Sequence, residues 1–188
     1  MPLAPGDPFP QLKVESVDGR VELRDRWREG PLVVMFMRHF GCAFCREHLI
    51  RMGKAVGDFE AAGAQVVAIF QYSAEATRDF CASRKVPFDC LGDPKREAYQ
   101  QVEVGKGTRE QVLGRAIAGK YLKTILRSRV VGSVNAPVDE MLQLPGTFVV
   151  GTDGRVLFSH YAVNSADNPP VTDVLSVVRK NASSRSTG

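Results

Sequence analysis

The chain has 188 residues, 44% hydrophobic and 24% charged, with a formal net charge of +4. That length and balance suit one domain that buries a core without special staples, and four cysteines are too few for a disulfide scaffold. No apolar run approaches the roughly 18 residues of a membrane-crossing helix, and Met1 to Pro8 lacks the basic start and apolar stretch of a secretory signal, so a cytoplasmic location is expected.

Residues 1–30 read as a lead-in, with short strands expected at Leu12–Val14 and Val21–Leu23 around an Asp18-Gly19 turn. Pro31–Met37 is a continuous apolar run between Gly30 and Arg38, which predicts a central buried strand. A helix is expected from about Cys42 to Ala62. Cys45, Leu49, Met52, Val56 and Phe59 form its apolar stripe, and Gly63 stops it. Gln65–Phe70 is the next buried strand. Ser73 caps a helix to about Arg84, Val86–Leu91 is a short extended segment, and Asp93-Pro94 opens a helix through about Val102.

Thr108–Ser128 is predicted as one further helix, with Val112, Leu113, Ile117, Tyr121, Ile125 and Leu126 on one side and basic residues on the other. Residues 129–143 read as a long loop. Thr147–Gly151 and Arg155–Tyr161 form a hairpin through Thr152-Asp153-Gly154, and Thr172–Lys180 is the last helix. Asn181–Gly188 reads as a disordered tail beyond a single domain spanning 1–180. Early alternation of strand and helix followed by a late hairpin predicts a mixed sheet with helices on both faces.

Charge is uneven along this order. Gly105–Val130 carries seven Lys or Arg and one Glu, while the remainder is net −2. Such a patch serves either as a solvated helix face or as an attraction for an acidic partner.

The chemistry concentrates in Phe36 to His48. Cys42 falls where a buried strand hands over to a helix, and the amides and positive dipole end of the first helical turn favour a thiolate there. Arg38, His39 and Arg46 stand close enough in sequence to add positive charge, and Gly41 allows a sharp turn with no side chain over the sulfur. Cys45 lies one turn later. In that division of labour Cys42 attacks and Cys45 resolves the mixed disulfide or sulfenic acid.

Plainer readings compete at each position. Both cysteines fit as small buried hydrophobes, and Glu47 fits as a helix-surface charge. Zinc would need two more ligands at matching spacing, whereas Cys81 and Cys90 are nine apart and His39, His48 and His160 are scattered. Cys81 and Cys90 read as core or near-surface thiols, with an alternative resolving role open to either. Pro145, in Leu144-Pro145-Gly146-Thr147, reads either as a cis proline whose loop shapes a groove for an incoming chain or as an ordinary turn proline.

On these residues, Val33–Leu49 resembles the peroxiredoxin-like branch of the AhpC/TSA superfamily. Val86–Pro94 with Tyr99, Gln143–Val150, Gly154–His160 and Ala166–Pro170 support the likeness, which runs from about Pro5 to Lys180. The resemblance implies a thioredoxin-like α/β fold, a three-layer α/β/α sandwich with a mixed central sheet. It implies a redox-active Cys42–Cys45 pair; neither a metal nor a cofactor is expected. Hydroperoxides or disulfides would be reduced with thioredoxin, glutathione or a similar thiol donor, and some relatives of this branch act on endoperoxides.

Typical peroxiredoxins carry Pro-x-x-x-Thr-x-x-Cys. Here Met35 stands at the proline position and His39 at the threonine position. His39 is then expected to hydrogen-bond a peroxide oxygen or take the Cys42 proton, its alternative being a surface histidine. The expected function is a thiol-dependent oxidoreductase reducing hydroperoxides; a protein disulfide reductase and a non-catalytic redox sensor are the alternatives. Neither a nucleic acid nor a membrane is expected as partner, and a homodimer is left open.

Overall fold

The computed structural model describes residues 1–132 and 136–185. Lys13–Ser16 (β1) and Gly19–Glu22 (β2) form the N-terminal hairpin, and Gly19 takes a φ of 124° that a side chain would resist. The rest of the lead-in, for which no helix is expected, winds into one, Leu23–Glu29 (α1), and the expected strand at Val21–Leu23 stops at Glu22. Leu23 and Trp27, four residues apart, both bury, so packing of one short face outweighs a weak local signal.

Leu32–Phe36 (β3) and Gln65–Phe70 (β4) are parallel neighbours at the centre of the sheet. Between them run Ala43–Lys54 (α2) and Val56–Ala61 (α3). The single helix expected here breaks at Ala55, yet Leu49, Met52 and Phe59 still reach one core. Ala74–Ala82 (α4) starts at Ser73, whose Oγ accepts from the Ala76 N–H at 3.3 Å. Asp89–Gly92 (β5) pairs parallel to β4 and antiparallel to β1.

The next helix, Glu97–Gln101 (α5), starts later than Asp93-Pro94 suggested. The Asp93 carboxylate accepts from the N–H groups of Glu97, Ala98 and Tyr99, so a side chain set back from the helix caps it.

The basic segment is two helices, Arg109–Leu113 (α6) and Arg115–Ser128 (α7), separated by extended backbone at Gly114. A Cβ at Gly114 would sit 2.4 Å from the Glu110 carbonyl, a separation only glycine permits. The break changes which side is covered. Ile117 and Thr124 bury and Tyr121 half-buries, whereas Leu113 and Leu126, expected on the apolar side, stand in solvent.

Within the stretch expected as loop, Val138–Met141 forms one helical turn (α8). Gly146–Val150 (β6) and Val156–Tyr161 (β7) make the late hairpin, with β6 antiparallel to β3. Val171–Arg185 (α9) extends five residues past the expected stop, because a helix anchored by Val174, Leu175 and Val178 elongates without a second nucleation cost. The last three residues of the expected disordered tail, 186–188, lie outside the described residues.

The sheet order is β2-β1-β5-β4-β3-β6-β7. Alternate residues of the central strands feed two cores. Val33, Met35, Val66 and Ala68 meet α2, α3, α4 and α9, while Val34, Phe36, Val67 and Ile69 meet α1, α5 and the N-terminal Phe9 and Leu12. This is the three-layer α/β/α sandwich with a mixed sheet. No helix among the described residues is long and apolar enough to cross a membrane.

Cys81 on α4 and Cys90 on β5 are not free thiols. They form a disulfide with Cα atoms 6.6 Å apart, which removes both as resolving cysteines in this state. They are nine positions apart in the chain. Opening so short a loop with a Cys81→Ser/Cys90→Ser double variant is expected to lower unfolding free energy by about 2–3 kcal/mol. Urea melts of the two proteins check this, and equal midpoints would refute it.

Candidate active site

The end of β3 fixes the site. Met37 N–H still donates to the Ile69 carbonyl, after which the chain turns and Cys42 N–H closes on the His39 carbonyl at 3.0 Å. Cys42 is the residue that caps α2. Its backbone is extended, and its Sγ accepts from the Cys45 N–H at 3.4 Å. The sulfur therefore occupies the place an N-cap oxygen normally takes, against the positive end of the helix.

Arg38 reinforces that placement. Its Nη1 donates to Cys42 Sγ at 3.1 Å, its Nε to the Gln143 carbonyl at 2.6 Å, and its Nη2 to the Met141 carbonyl. The side chain is only 3% exposed. A buried guanidinium held by two neutral carbonyls still needs a counter-charge, and Cys42 is the group positioned to supply it. Gln143 is itself fixed, its amide donating to the Val104, Gly105 and Leu144 carbonyls.

Electrostatics separate the two thiols. Burial pushes the Cys42 thiol up, but the Cys45 S–H, the Arg38 charge and the Cys45 backbone N–H outweigh it and bring Cys42 down to about 6. Cys45 is pushed well up by burial and by the neighbouring sulfur. At neutral pH the arrangement is a Cys42 thiolate hydrogen-bonded by a Cys45 thiol, which suits a nucleophile with a protonated thiol behind it.

A cavity of about 360 Å³ reaches Cys42. Arg38 and His39 line its polar end, and Phe44, Val112, Ile117 and Tyr121 supply apolar wall. Cys42 is 4% exposed and Cys45, absent from the lining, 2%. A small molecule in this cavity therefore meets the sulfur that is the better nucleophile.

The residues singled out in the sequence divide. Arg38, His39, Gly41 and Cys42 line this cavity, with Cys45 directly behind. His39 is buried, not a surface histidine, and its Nδ1 has no hydrogen-bond partner among the described residues. Burial, then the Arg38 charge, lowers it to about 4, so it is a neutral imidazole.

Arg46 departs from expectation. Although one turn from Cys42, its guanidinium donates to the Val131 carbonyl at 2.6 Å and lines a different hollow, leaving Arg38 as the cation at the sulfur. Glu47 is not a surface charge. It is 7% exposed and accepts from Arg51 and Arg127, which ties α2 to α7.

Pro145 also departs. It is buried, no peptide bond among the described residues is cis, and its carbonyl already accepts from the Ala162 N–H. Its carbonyl is not left open to pair with an incoming chain. The carbonyls of Met141 and Gln143, which sequence reasoning missed, hold the loop at this site through Arg38.

His48 is a second buried neutral imidazole, lowered to about 4 mainly by burial. Both histidines titrate near 6.5 when unfolded, so each supports the fold above that pH and withdraws its support as pH falls through about 4. The protein is therefore expected to lose stability steadily between pH 6.5 and 4, read as a falling Tm. A His48→Gln variant should show a shallower fall; an equally steep one would count against this account.

Comparison with known proteins places these features in context. The AhpC/TSA family profile matches residues 5–159. Peroxiredoxin-like 2C of Bos taurus is 27% identical over 175 residues, covering 89% of this chain and 77% of that protein. Prostamide/prostaglandin F synthase of Salmo salar is also 27% identical, over 165 residues, with 86% and 81% covered. Among solved structures, Peroxidoxin BcpB from Mycobacterium tuberculosis superposes with a TM-score of 0.69 at 17% identity, covering 95% of this chain and 97% of that one.

Proposed function

The chain belongs to the AhpC/TSA family, and from that premise, with its thiol-dependent redox chemistry, we propose that it reduces hydroperoxides bearing an apolar substituent. The observation that carries the reading is the Arg38 Nη1 donating to Cys42 Sγ in the lining of a mostly apolar cavity.

In this reading the Cys42 thiolate attacks the terminal peroxide oxygen. The O–O bond breaks, Cys42 becomes a sulfenic acid, and the alcohol leaves after its oxygen takes a proton from solvent. Arg38 faces both the attacking sulfur and the developing negative charge. Cys45 then condenses with the sulfenic acid, releasing water and forming the Cys42–Cys45 disulfide. Two electrons and two protons from a donor dithiol, or from two monothiols, restore the starting state. His39, neutral and with an open Nδ1, is the group available to hydrogen-bond the peroxide.

The relative named prostamide/prostaglandin F synthase extends the candidate substrates to prostaglandin-type lipids that carry an O–O bond. The apolar walls favour such substrates over hydrogen peroxide. Access favours a small molecule over a folded protein disulfide, because Cys42 is 4% exposed and reached through a cavity.

The test mixes reduced protein with cumene hydroperoxide and with hydrogen peroxide. One equivalent should be consumed with loss of two thiols. The second-order rate of thiol loss should favour the cumyl substrate by about tenfold or more, from the few carbons it buries at about 0.8 kcal/mol each. Absence of any stoichiometric thiol loss would overturn the proposal.

A further inference from the structure

A second cleft, about 600 Å³, lies between α2 and α7. It is separate from the cavity over Cys42 but shares the Phe44 side chain with it. Arg51 lines it from α2, and Lys120, Lys123 and Arg127 line it from α7.

One carboxylate faces these four cations. Glu47 Oε1 accepts from Arg127 at 2.6 Å and from Arg51 at 3.1 Å, so this single acid is already shared between two guanidiniums. Lys120 and Lys123 form no ion pair among the described residues. The cleft thus carries a surplus of three positive charges on two facing helices, a concave field suited to a small ligand with more than one anionic group.

An independent observation points the same way. His48 lines this cleft, is 4% exposed, and its Nε2 has no hydrogen-bond partner among the described residues. Buried polar atoms are rarely left unpaired, and an unpaired one in the wall of a charged cleft marks where a ligand atom completes the set.

We propose that the α2–α7 cleft binds a small organic polyanion, with its carboxylate or phosphate groups held by Arg51, Lys120, Lys123 and Arg127 and completed by His48. Binding needs no redox step. Its role deepens the hydroperoxide reading and rests on it. An acidic low-molecular-weight thiol such as glutathione bears two carboxylates, and the cleft that would hold them shares Phe44 with the cavity over Cys42, where its sulfur would have to reach to exchange.

The experiment titrates wild-type protein, at low salt, with S-methylglutathione, which cannot exchange disulfides, and with inorganic pyrophosphate. Calorimetry reads affinity, and the His48 ring resonances locate the ligand. A Kd of about 1 mM or tighter is expected. Lys120→Glu/Lys123→Glu should weaken it by about tenfold or more, while Lys95→Glu, on the exposed turn before α5, leaves it unchanged.

Binding of S-methylglutathione assigns carboxylates, and binding of pyrophosphate alone assigns phosphates. Binding of neither, affinity indifferent to the double charge reversal, or unmoved His48 resonances would each overturn the proposal. Loss of hydroperoxide turnover in a protein that still binds the probe would sink the peroxidase reading and leave this site standing.

Discussion

Cys42→Ser is expected to lower hydroperoxide turnover by about 10³-fold or more, because a serine hydroxyl cannot ionise at neutral pH and no other thiol lines the cavity. The substitution is structurally mild. Serine is a favoured N-cap, so its Oγ can accept the Cys45 N–H that Sγ accepts now. Far-UV circular dichroism should therefore match wild type while activity is lost. Cys45→Ser should behave differently: it performs the first oxidation and stops, trapping a sulfenic acid on Cys42 that a dimedone adduct reveals by mass. Turnover in Cys42→Ser within tenfold of wild type would remove Cys42 as the nucleophile.

Arg38→Met is expected to have the second largest effect. In wild type the thiolate fraction of Cys42 rises as pH passes through about 6, so the second-order rate with hydroperoxide climbs from pH 5 and levels off near neutrality. Without the guanidinium the midpoint should move toward the ordinary thiol value of about 8.5, leaving only a few per cent thiolate at pH 7 and a rate down by roughly 30-fold. The sign for stability follows the same shift. A thiol held below its unfolded value contributes stability that is complete above about 8.5 and fades as pH falls through about 6, so reduced wild type should gain on Arg38→Met as pH rises between those limits. Methionine also strands the Gln143 and Met141 carbonyls. Arg38→Lys, which keeps the charge but not the fork, separates the effects: its rate midpoint should lie between the other two. A midpoint unmoved in both variants would rule out Arg38 as the group that holds the thiolate.

Much of this was readable along the chain because it is local. The run Leu32–Phe36 buries both faces and so reads as a central strand, and Cys42 and Cys45 bracket the helix start that follows it. What the sequence concealed was set by distance. The carbonyl partners of Arg38 lie 103 and 105 residues away, so nothing nearby distinguishes it from Arg46, which is a full turn into the helix and turns to Val131. Two cysteines nine apart look like spare thiols until β5 brings Cys90 beside α4. A surface position stays open for His39 in the sequence, and only the helices flanking Gly114, which cover one side of its cavity, close it. The breaks at Ala55 and Gly114 went unseen for a related reason: the apolar spacing on either side satisfies a continuous helix, and only the backbone approach at 114 shows why it cannot continue.

Arg38 also sets how readily electrons enter the pair. Joining Cys42 to Cys45 converts an anion into a neutral bridge and leaves an enclosed guanidinium facing only carbonyl dipoles. That penalty falls on the oxidised form alone. The couple is thereby biased toward its dithiol state, as in other thiol pairs whose reduced form gains from a stabilised thiolate. A bridge formed between these two sulfurs is therefore one that mild thiols open readily, and it is poorly suited to persisting.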